Sequence, residues 1–446
     1  VLAYRAGAPI LAGQFLADVE RAGVALGRGG NVLNVCADRY RFAVGLAAAL
    51  ATGKVSLLPS TRTPEVIAHL KDFAPDAVCL TDEDDCDIDL PLVRFPDAPA
   101  AAGRPSTPHQ AKAGFTTRVP RIEAGQRAAW VFTSGSTGAP VPHEKTFGRL
   151  LECMWVGAQR LGLAPGVTHT IVATVPPQHM YGFEASVLLP LASGNALSAE
   201  RPFYPADICA VLAAAARPRV LITTPIHLRA LMAANLTIPD TDLIVSATAP
   251  LSGQLASEVE QRCSTRLLEI YGTTETGSIA VRRTTETPEW RLWPQVTLEP
   301  RGGETWARGG HVEQPTRLCD VIEVTGRDRF LLHGRVADLV NIAGKRSSLS
   351  YLNHQLNSIP GVLDGAFFHC DAAASEATVT RVGACVVAPG LDAAAIAAQL
   401  RRRIDPVFLP RPLLLVASLP RTSTGKLPQE ALRSLAAAQP KPTTAA

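Results

Sequence analysis

The 446-residue chain is predicted to be an α/β protein. Short apolar runs alternate along it with segments of helical apolar spacing, the signature of parallel βαβ units. One of those runs breaks into a loop made only of Gly, Ser and Thr. The chain is also too long for one ordinary hydrophobic core, so two or three domains are expected.

In chain order, residues 12–27 carry apolar side chains at helical spacing and read as a helix. Residues 31–36 form a short apolar strand, 42–52 an Ala-rich helix, 55–58 a strand, 64–72 a helix and 77–81 a strand. The stretch 96–117 is rich in Ala, Gly, Pro and Thr and reads as a loop. A buried strand follows at 128–132. The alternation continues through 170–175, 207–215, 220–223 and 243–247. Residues 436–446 contain two Pro and small side chains, and a frayed end is expected there. There is no internal repeat.

Composition excludes several classes. The chain is 47% hydrophobic and 19% charged, an ordinary globular balance. A net charge of +3 is too small to suggest nucleic acid. No uninterrupted apolar stretch reaches membrane-spanning length. Nine Cys without paired spacing fit small buried hydrophobes in a reducing cytoplasm, and argue against a disulfide framework or a zinc site. The acidic run 82–87 reads as a solvated loop. Charge is unevenly spread. From Asp338 onward eleven Lys and Arg face seven Asp and Glu, net +4, whereas the rest of the chain is net −1.

The strand at 128–132 runs into Thr133-Ser134-Gly135-Ser136-Thr137-Gly138-Ala139-Pro140. Glycine lets backbone N–H groups approach a ligand, and short hydroxyls add donors, so this loop can hold a phosphate chain. No Gly-Lys-Ser/Thr follows, so it is not a Walker loop. A Ser- and Gly-rich surface turn is the alternative reading of these residues alone. Three later segments bear on the choice. Glu269-Ile270-Tyr271-Gly272-Thr273-Thr274-Glu275 follows an apolar stretch, Asp320 precedes Arg335 of His333-Gly334-Arg335-Val336-Ala337-Asp338, and Leu419-Pro420-Arg421-Thr422-Ser423-Thr424-Gly425-Lys426 lies near the end.

With these four motifs in order, residues 15–430 resemble the adenylate-forming superfamily: acyl- and aryl-CoA synthetases, nonribosomal adenylation domains and luciferases. The resemblance implies a large N-terminal α/β domain of several subdomains, residues 1–336, and a small mobile C-terminal α/β domain, 337–446, hinged near Arg335. It also implies ATP and Mg²⁺. On the same basis Thr133, Ser134, Gly135, Ser136, Thr137 and Gly138 wrap the β- and γ-phosphates. Thr274 contacts the adenylate phosphate, and Glu275 holds Mg²⁺. Asp320 accepts the ribose hydroxyls, with Arg335 beside the ribose or phosphate. Ser246, Ala249, Pro250, Glu269, Tyr271, Gly272 and Thr273 belong to the nucleotide surround. Lys426 would bridge carboxylate and α-phosphate in the transition state, with His179 and Arg335 as its partners in catalysis.

Three positions depart from the resemblance. Val141 stands where the family has Lys, with His143 and Lys145 as nearby replacements. Ala247-Thr248 stands where it has Gly-Gly, and Ala337 replaces the polar hinge residue. These departures keep a nucleotide- or acyl-binding relative with weak catalysis as a non-enzyme alternative.

The acid pocket is expected from His179, Tyr181, Gly182, Phe183, Ile226, Ser246, Tyr271 and Ile279, with His227 structural. Aromatic walls suit a flat ring. An amino acid would need a carboxylate for its ammonium, and that region offers only Glu184. An aryl acid of the hydroxybenzoate type therefore leads, fatty acids follow and amino acids come third. The compact chain is also similar to stand-alone ligases of xanthomonadin-type pigment pathways, which load a hydroxybenzoate onto an acyl carrier protein. Arg401-Arg402-Arg403, Lys345, Arg346 and Arg411 could steer such an acidic partner. Coenzyme A is the alternative acceptor. No nucleic acid or membrane partner is expected.

Overall fold

A computed structural model describes residues 1–59, 61–97, 119–134, 140–163, 166–335, 339–342, 345–370, 381–422 and 427–438. The expected positions Gly135, Ser136, Thr137, Gly138 and Lys426 lie outside them, as does most of the 96–117 stretch. For Ser134 and Arg335 the backbone alone is described.

The chain forms a mixed α/β molecule with a large N-terminal part and a smaller C-terminal one. Two sheets dominate the large part, and both owe their parallel cores to the alternation in the sequence. The first has six strands in the order Leu92–Arg94, Val78–Thr81, Asn31–Asn34, Val55–Leu58, Arg127–Ser134 and Pro140–Thr146. All pairs are parallel except the last, where Pro140–Thr146 folds back as an antiparallel edge. The second has eleven strands. At its centre Ala196–Ser198, Thr170–Ala173, Arg219–Thr223, Leu243–Ser246 and Leu267–Thr273 are mutually parallel. These strands are nearly continuous Val, Ile and Leu, as strands covered on both faces must be. Antiparallel strands Gly277–Arg282, Trp290–Leu292, Arg329–Arg335 and Asp320–Val324 extend one side.

The predicted elements are recovered with small shifts at their ends. Helices occupy Ala12–Ala25, Arg39–Ala51, Pro64–Phe73 and Pro205–Ala214. Helix Arg39–Ala51 starts three residues earlier than its apolar pattern suggests. Asp38 caps it by accepting the Arg41 N–H, and Arg39 is buried rather than solvated. One expectation is corrected. Residues 436–438 are not frayed but end the helix Gln429–Ala438, whose Leu432 is fully buried. In the acidic run, Asp82 is the exception to solvation, because it accepts the N–H groups of Ala37 and Asp38.

Arg39 ties the two sheets together. Its guanidinium is completely buried and donates to the carbonyls of Ala173, Val175, Ser198 and Glu200 and to Ser186 Oγ. A buried cation is tolerable only when its donors are all satisfied in this way. Nearby, Gln178 Nε2 donates to the Cys36 carbonyl at 2.9 Å. Both contacts lie at the carboxyl ends of strands, where open α/β sheets bind ligands.

The C-terminal part has its own apolar core around Phe367, Leu352, Leu356, Val386 and Leu400. A three-stranded sheet, Asp364–His369, Val382–Val387 and Leu413–Leu415, carries it with helices Leu349–Asn357 and Ala393–Arg401. It touches the large part through Asp364, which lies 3.7 Å from Arg229 of helix Pro225–Ala233. Arg421 grips the same carboxylate with two bonds of 2.8 Å. Arg421 sits in the expected catalytic motif, so this pair ties the start of that motif to the small sheet. All nine Cys are free, and among the described residues no helix is long and apolar enough to cross a membrane.

Candidate active site

A cavity opens off the carboxyl ends of three adjacent parallel strands, Thr170–Ala173, Arg219–Thr223 and Leu243–Ser246. It is lined by Val175, Pro176, His179, Tyr181, Gly182, Thr224, His227 and Thr248. The strands end in different loops, so residues distant in sequence converge here. Gly182 permits the tight floor, since a Cβ there would lie 1.9 Å from the Pro176 carbonyl oxygen. Tyr181 donates its O–H to the Val245 carbonyl at 3.1 Å, and burial pushes that hydroxyl far above its usual pKa. Its ring is therefore fixed and remains a neutral wall. His179 immediately precedes the turn Met180–Gly182, after which the helix widens to π geometry over Phe183–Leu188.

Of the residues expected around the acid, His179, Tyr181 and Gly182 line this cavity. Phe183 and Ile279 do not. Both are completely buried in the main core, because the π turn rolls Phe183 inward and Ile279 points into the sheet packing. Ile226 is half-buried at the start of its helix and Ser246 is fully buried, its Oγ without a hydrogen-bond partner among the described residues. His227, expected to be structural, lines the cavity. Its Nδ1 lies 2.9 Å from Thr224 Oγ1, Phe203 packs edge-on against its ring, and burial lowers its pKa. The Pro225 turn brings it there, a signal that a lone His in sequence does not carry. Thr224 and Thr248 were not foreseen as lining residues. Thr248 is held at φ +78°, a conformation a β-branched residue rarely takes.

The nucleotide motif builds a second group. Tyr271 lies in the sheet, and its ring packs against the stacked pair Trp290 and Phe330, at a centroid distance of 5.6 Å from each. Its O–H donates to Asp320 Oδ2 at 2.7 Å, and Asp320 stands opposite Arg335 in the antiparallel ladder. Three expected nucleotide residues thus meet at one place. Tyr271 does not line the cavity described above. The Glu269 carboxylate is occupied by the Leu251 N–H, Arg282 and Thr284. That contact holds the loop carrying Ala249 and Pro250. Gly272 is exposed beside the turn, and its missing Cβ lets the chain pass Gly277, whose oxygen would lie 2.2 Å away.

The turn after strand Leu267–Thr273 carries Thr274 and Glu275. Thr273 and Thr276 brace it through reciprocal side-chain-to-backbone bonds of 3.2 Å. Strand Pro140–Thr146 faces it. Val141, His143 and Lys145 alternate onto one side of that strand. His143 Nε2 shares a hydrogen bond of 2.9 Å with Thr133 Oγ1 and lies 3.8 Å from Glu275 Oε1. Lys145 Nζ donates to the Glu275 carbonyl at 2.5 Å. Burial lowers the pKa of His143 against the pull of Glu275, so the imidazole stays neutral near pH 7. Neither residue therefore puts a free cation in the place vacated at Val141. Glu184 is also committed. It is buried, accepts the N–H and O–H of Ser278 at 3.1 and 2.6 Å, and leaves no carboxylate for a substrate ammonium.

Residues 14–322 match the family described as AMP-binding enzyme. The chain belongs to that family. It is an AMP-forming acid–thiol ligase that uses ATP. Among similar proteins is a 4-coumarate–CoA ligase of Rhodobacter capsulatus, 29% identical over 66% of this chain and 73% of the relative. Among solved structures, ATP-bound MatB of Rhodopseudomonas palustris matches with a TM-score of 0.79 and 20% identity, covering 97% of this chain and 95% of that one. The o-succinylbenzoate coenzyme A synthetase MenE of Bacillus subtilis, in complex with AMP, matches with a TM-score of 0.77 and 16% identity over 97% and 95%.

Proposed function

We propose that this AMP-binding ligase adenylates a small aromatic carboxylic acid of the hydroxybenzoate type and passes the acyl group to the phosphopantetheine thiol of an acyl carrier protein. The observation that carries the acid is the cavity, whose walls are a fixed Tyr181 ring and the imidazoles of His179 and His227 above a Gly182 floor. Flat walls with polar edges suit a ring bearing a hydroxyl. The committed Glu184 speaks against an amino acid. The names of the coumarate and succinylbenzoate relatives are consistent with an aryl acid. They favour coenzyme A as the second candidate acceptor.

In the first step a carboxylate oxygen attacks the α-phosphorus and the bond to the β-phosphate breaks, releasing pyrophosphate. In the second the thiol sulfur attacks the acyl carbonyl and AMP leaves. The chain's work is to bring two anions together and exclude water. Thr133 to Gly138 would wrap the terminal phosphates, and Asp320 beside Arg335 would hold the ribose. Lys426 would neutralise charge at the α-phosphate, and the boundary at 336/337 would let it enter and leave with its domain. Mg²⁺ fits Glu275. Among the described residues no cluster of three or more metal-binding side chains exists, and Glu275 is a single, partly exposed carboxylate beside Thr133 and His143. Such a site suits a hard cation that keeps its waters and shares phosphate oxygens. When bound, the ion would neutralise phosphate charge.

The carrier reading is supported by the net +4 of the C-terminal part and by Arg401, Arg402 and Arg411, all exposed. Arg403 is half-buried and donates to Gln399. The test is pyrophosphate release over a panel of benzoates, cinnamates, fatty acids and amino acids, followed by transfer to carrier protein or coenzyme A. Hydroxybenzoates should turn over fastest, and Lys426→Ala should abolish adenylation while ATP affinity stays within a few-fold. Arg401→Ser with Arg402→Ser should slow carrier loading, and added salt should do the same. Faster turnover of palmitate or an amino acid would refute the acid. Equal or better transfer to coenzyme A would refute the carrier.

A further inference from the structure

Behind the Glu275 turn lies a small buried chamber lined by Lys145, Cys153, Met180, Glu184, Thr276, His311 and their neighbours. Two ionisable side chains in it bond this segment, one within the turn and one at the strand that follows. Lys145 is 4% exposed and bonds the Glu275 carbonyl. Glu184 is 2% exposed and bonds both donors of Ser278, the residue just past the turn. Gly277, at φ +74°, lets the Glu184 carboxylate press against the chain, since a Cβ there would lie 2.5 Å from Glu184 Oε1. Burying either charge alone is expensive, and each is the other's main source of opposite charge in the chamber.

We propose that Lys145 and Glu184 are positioning residues. Together they brace the segment 273–278, one at the Glu275 carbonyl and the other at Ser278, and hold Glu275 where the metal-bound triphosphate requires it. Nothing in the chemistry of acid or thiol needs this pair, and neither side chain reaches the acid cavity. An apolar pair of similar volume could make none of the bonds that these two side chains make to the turn and to Ser278. His143 and Lys145 lie two residues apart on one strand face. One meets the Glu275 carboxylate and the other its carbonyl, so a shift of the brace moves the carboxylate too. The inference rests on the reading of Glu275 as the carboxylate that holds magnesium.

The experiment compares Lys145→Met, the double variant Lys145→Met with Glu184→Gln, and Glu275→Gln in the full chain. The readouts are calorimetric affinity for ATP with magnesium and with EDTA, and amide exchange of residues 273–278. Lys145→Met should weaken magnesium-ATP binding by about tenfold, the scale of one lost anchoring bond, and leave the EDTA value unchanged. Exchange at 273–278 should quicken. The double variant removes both charges, so it remains the informative protein should Lys145→Met fail to fold, and it should show the same loss of metal dependence. Normal metal dependence and normal exchange in a folded Lys145 variant would overturn the brace. Should Glu275→Gln bind magnesium-ATP normally, the metal reading of Glu275 fails by itself. The brace then stands or falls on exchange: quickened exchange in the Lys145 variants supports it, and unchanged exchange overturns it.

Discussion

At the scale of single residues, burial decides which titratable groups carry charge. His311 shows this most clearly. It is buried in the chamber beside Lys145, and burial followed by that neighbouring cation pushes its pKa down to about 4. Nε2 has no hydrogen-bond partner among the described residues. The folded state therefore prefers neutral His311, and the unfolded chain binds its proton first. Stability is whole above the ordinary histidine pKa and declines as pH falls from about 6.5 toward 4. The full shift corresponds to roughly 3 kcal/mol. Urea unfolding of wild type and His311→Gln at pH 7 and pH 4.5 should show a smaller acid loss in the variant. An identical loss would mean that His311 is not the group responsible. Nothing in the sequence singles this histidine out, because its environment is assembled from four separate segments.

Among the elements, the loop after strand Leu243–Ser246 stands out. It carries a threonine at φ +78° on the rim of the acid cavity, where a glycine would be unstrained. Such a residue costs about 1–3 kcal/mol of backbone strain. Thr248→Gly should therefore keep or raise the melting temperature, although glycine gives back about 0.5–1 kcal/mol through the unfolded chain. It should also enlarge the cavity, so that cinnamates gain in kcat/KM relative to benzoates. A fall in melting temperature of several degrees, or an unchanged acid ranking, would count against the strain reading. The sequence showed the departure at Ala247-Thr248 but not its consequence. Only the course of the backbone out of the strand turns a substitution into a strained cavity wall.

For the molecule as a whole, Arg39 is the joint on which the site depends. It holds carbonyls at the ends of two strands of the large sheet from a helix that packs on the six-stranded one. Arg39→Met keeps the volume but leaves four carbonyls without their buried donor. A loss of about 3–5 kcal/mol is expected, the cost of breaking a buried charged network. Because Val175 lines the acid cavity, KM for the acid should rise as well. Urea midpoints and acid titration read the two effects separately, and a variant unchanged in both would show that the carbonyls find water instead.

What the sequence determined by itself is the order of things along the chain. Apolar periodicity placed the strands and helices, because burial on one or two faces imposes its own spacing. The motifs identified the family, because loops that approach phosphates tolerate few side chains. Tertiary structure decided which side chains are free to act. Glu269, Glu184 and Lys145 look like candidates in sequence, yet each has donors or acceptors taken by groups on other elements of the fold. Phe183 looks like a pocket wall, yet one widened helical turn rolls it into the core. Burial and hydrogen-bond occupancy are properties of what surrounds a residue in space, and here those surroundings come from segments as much as 161 positions apart.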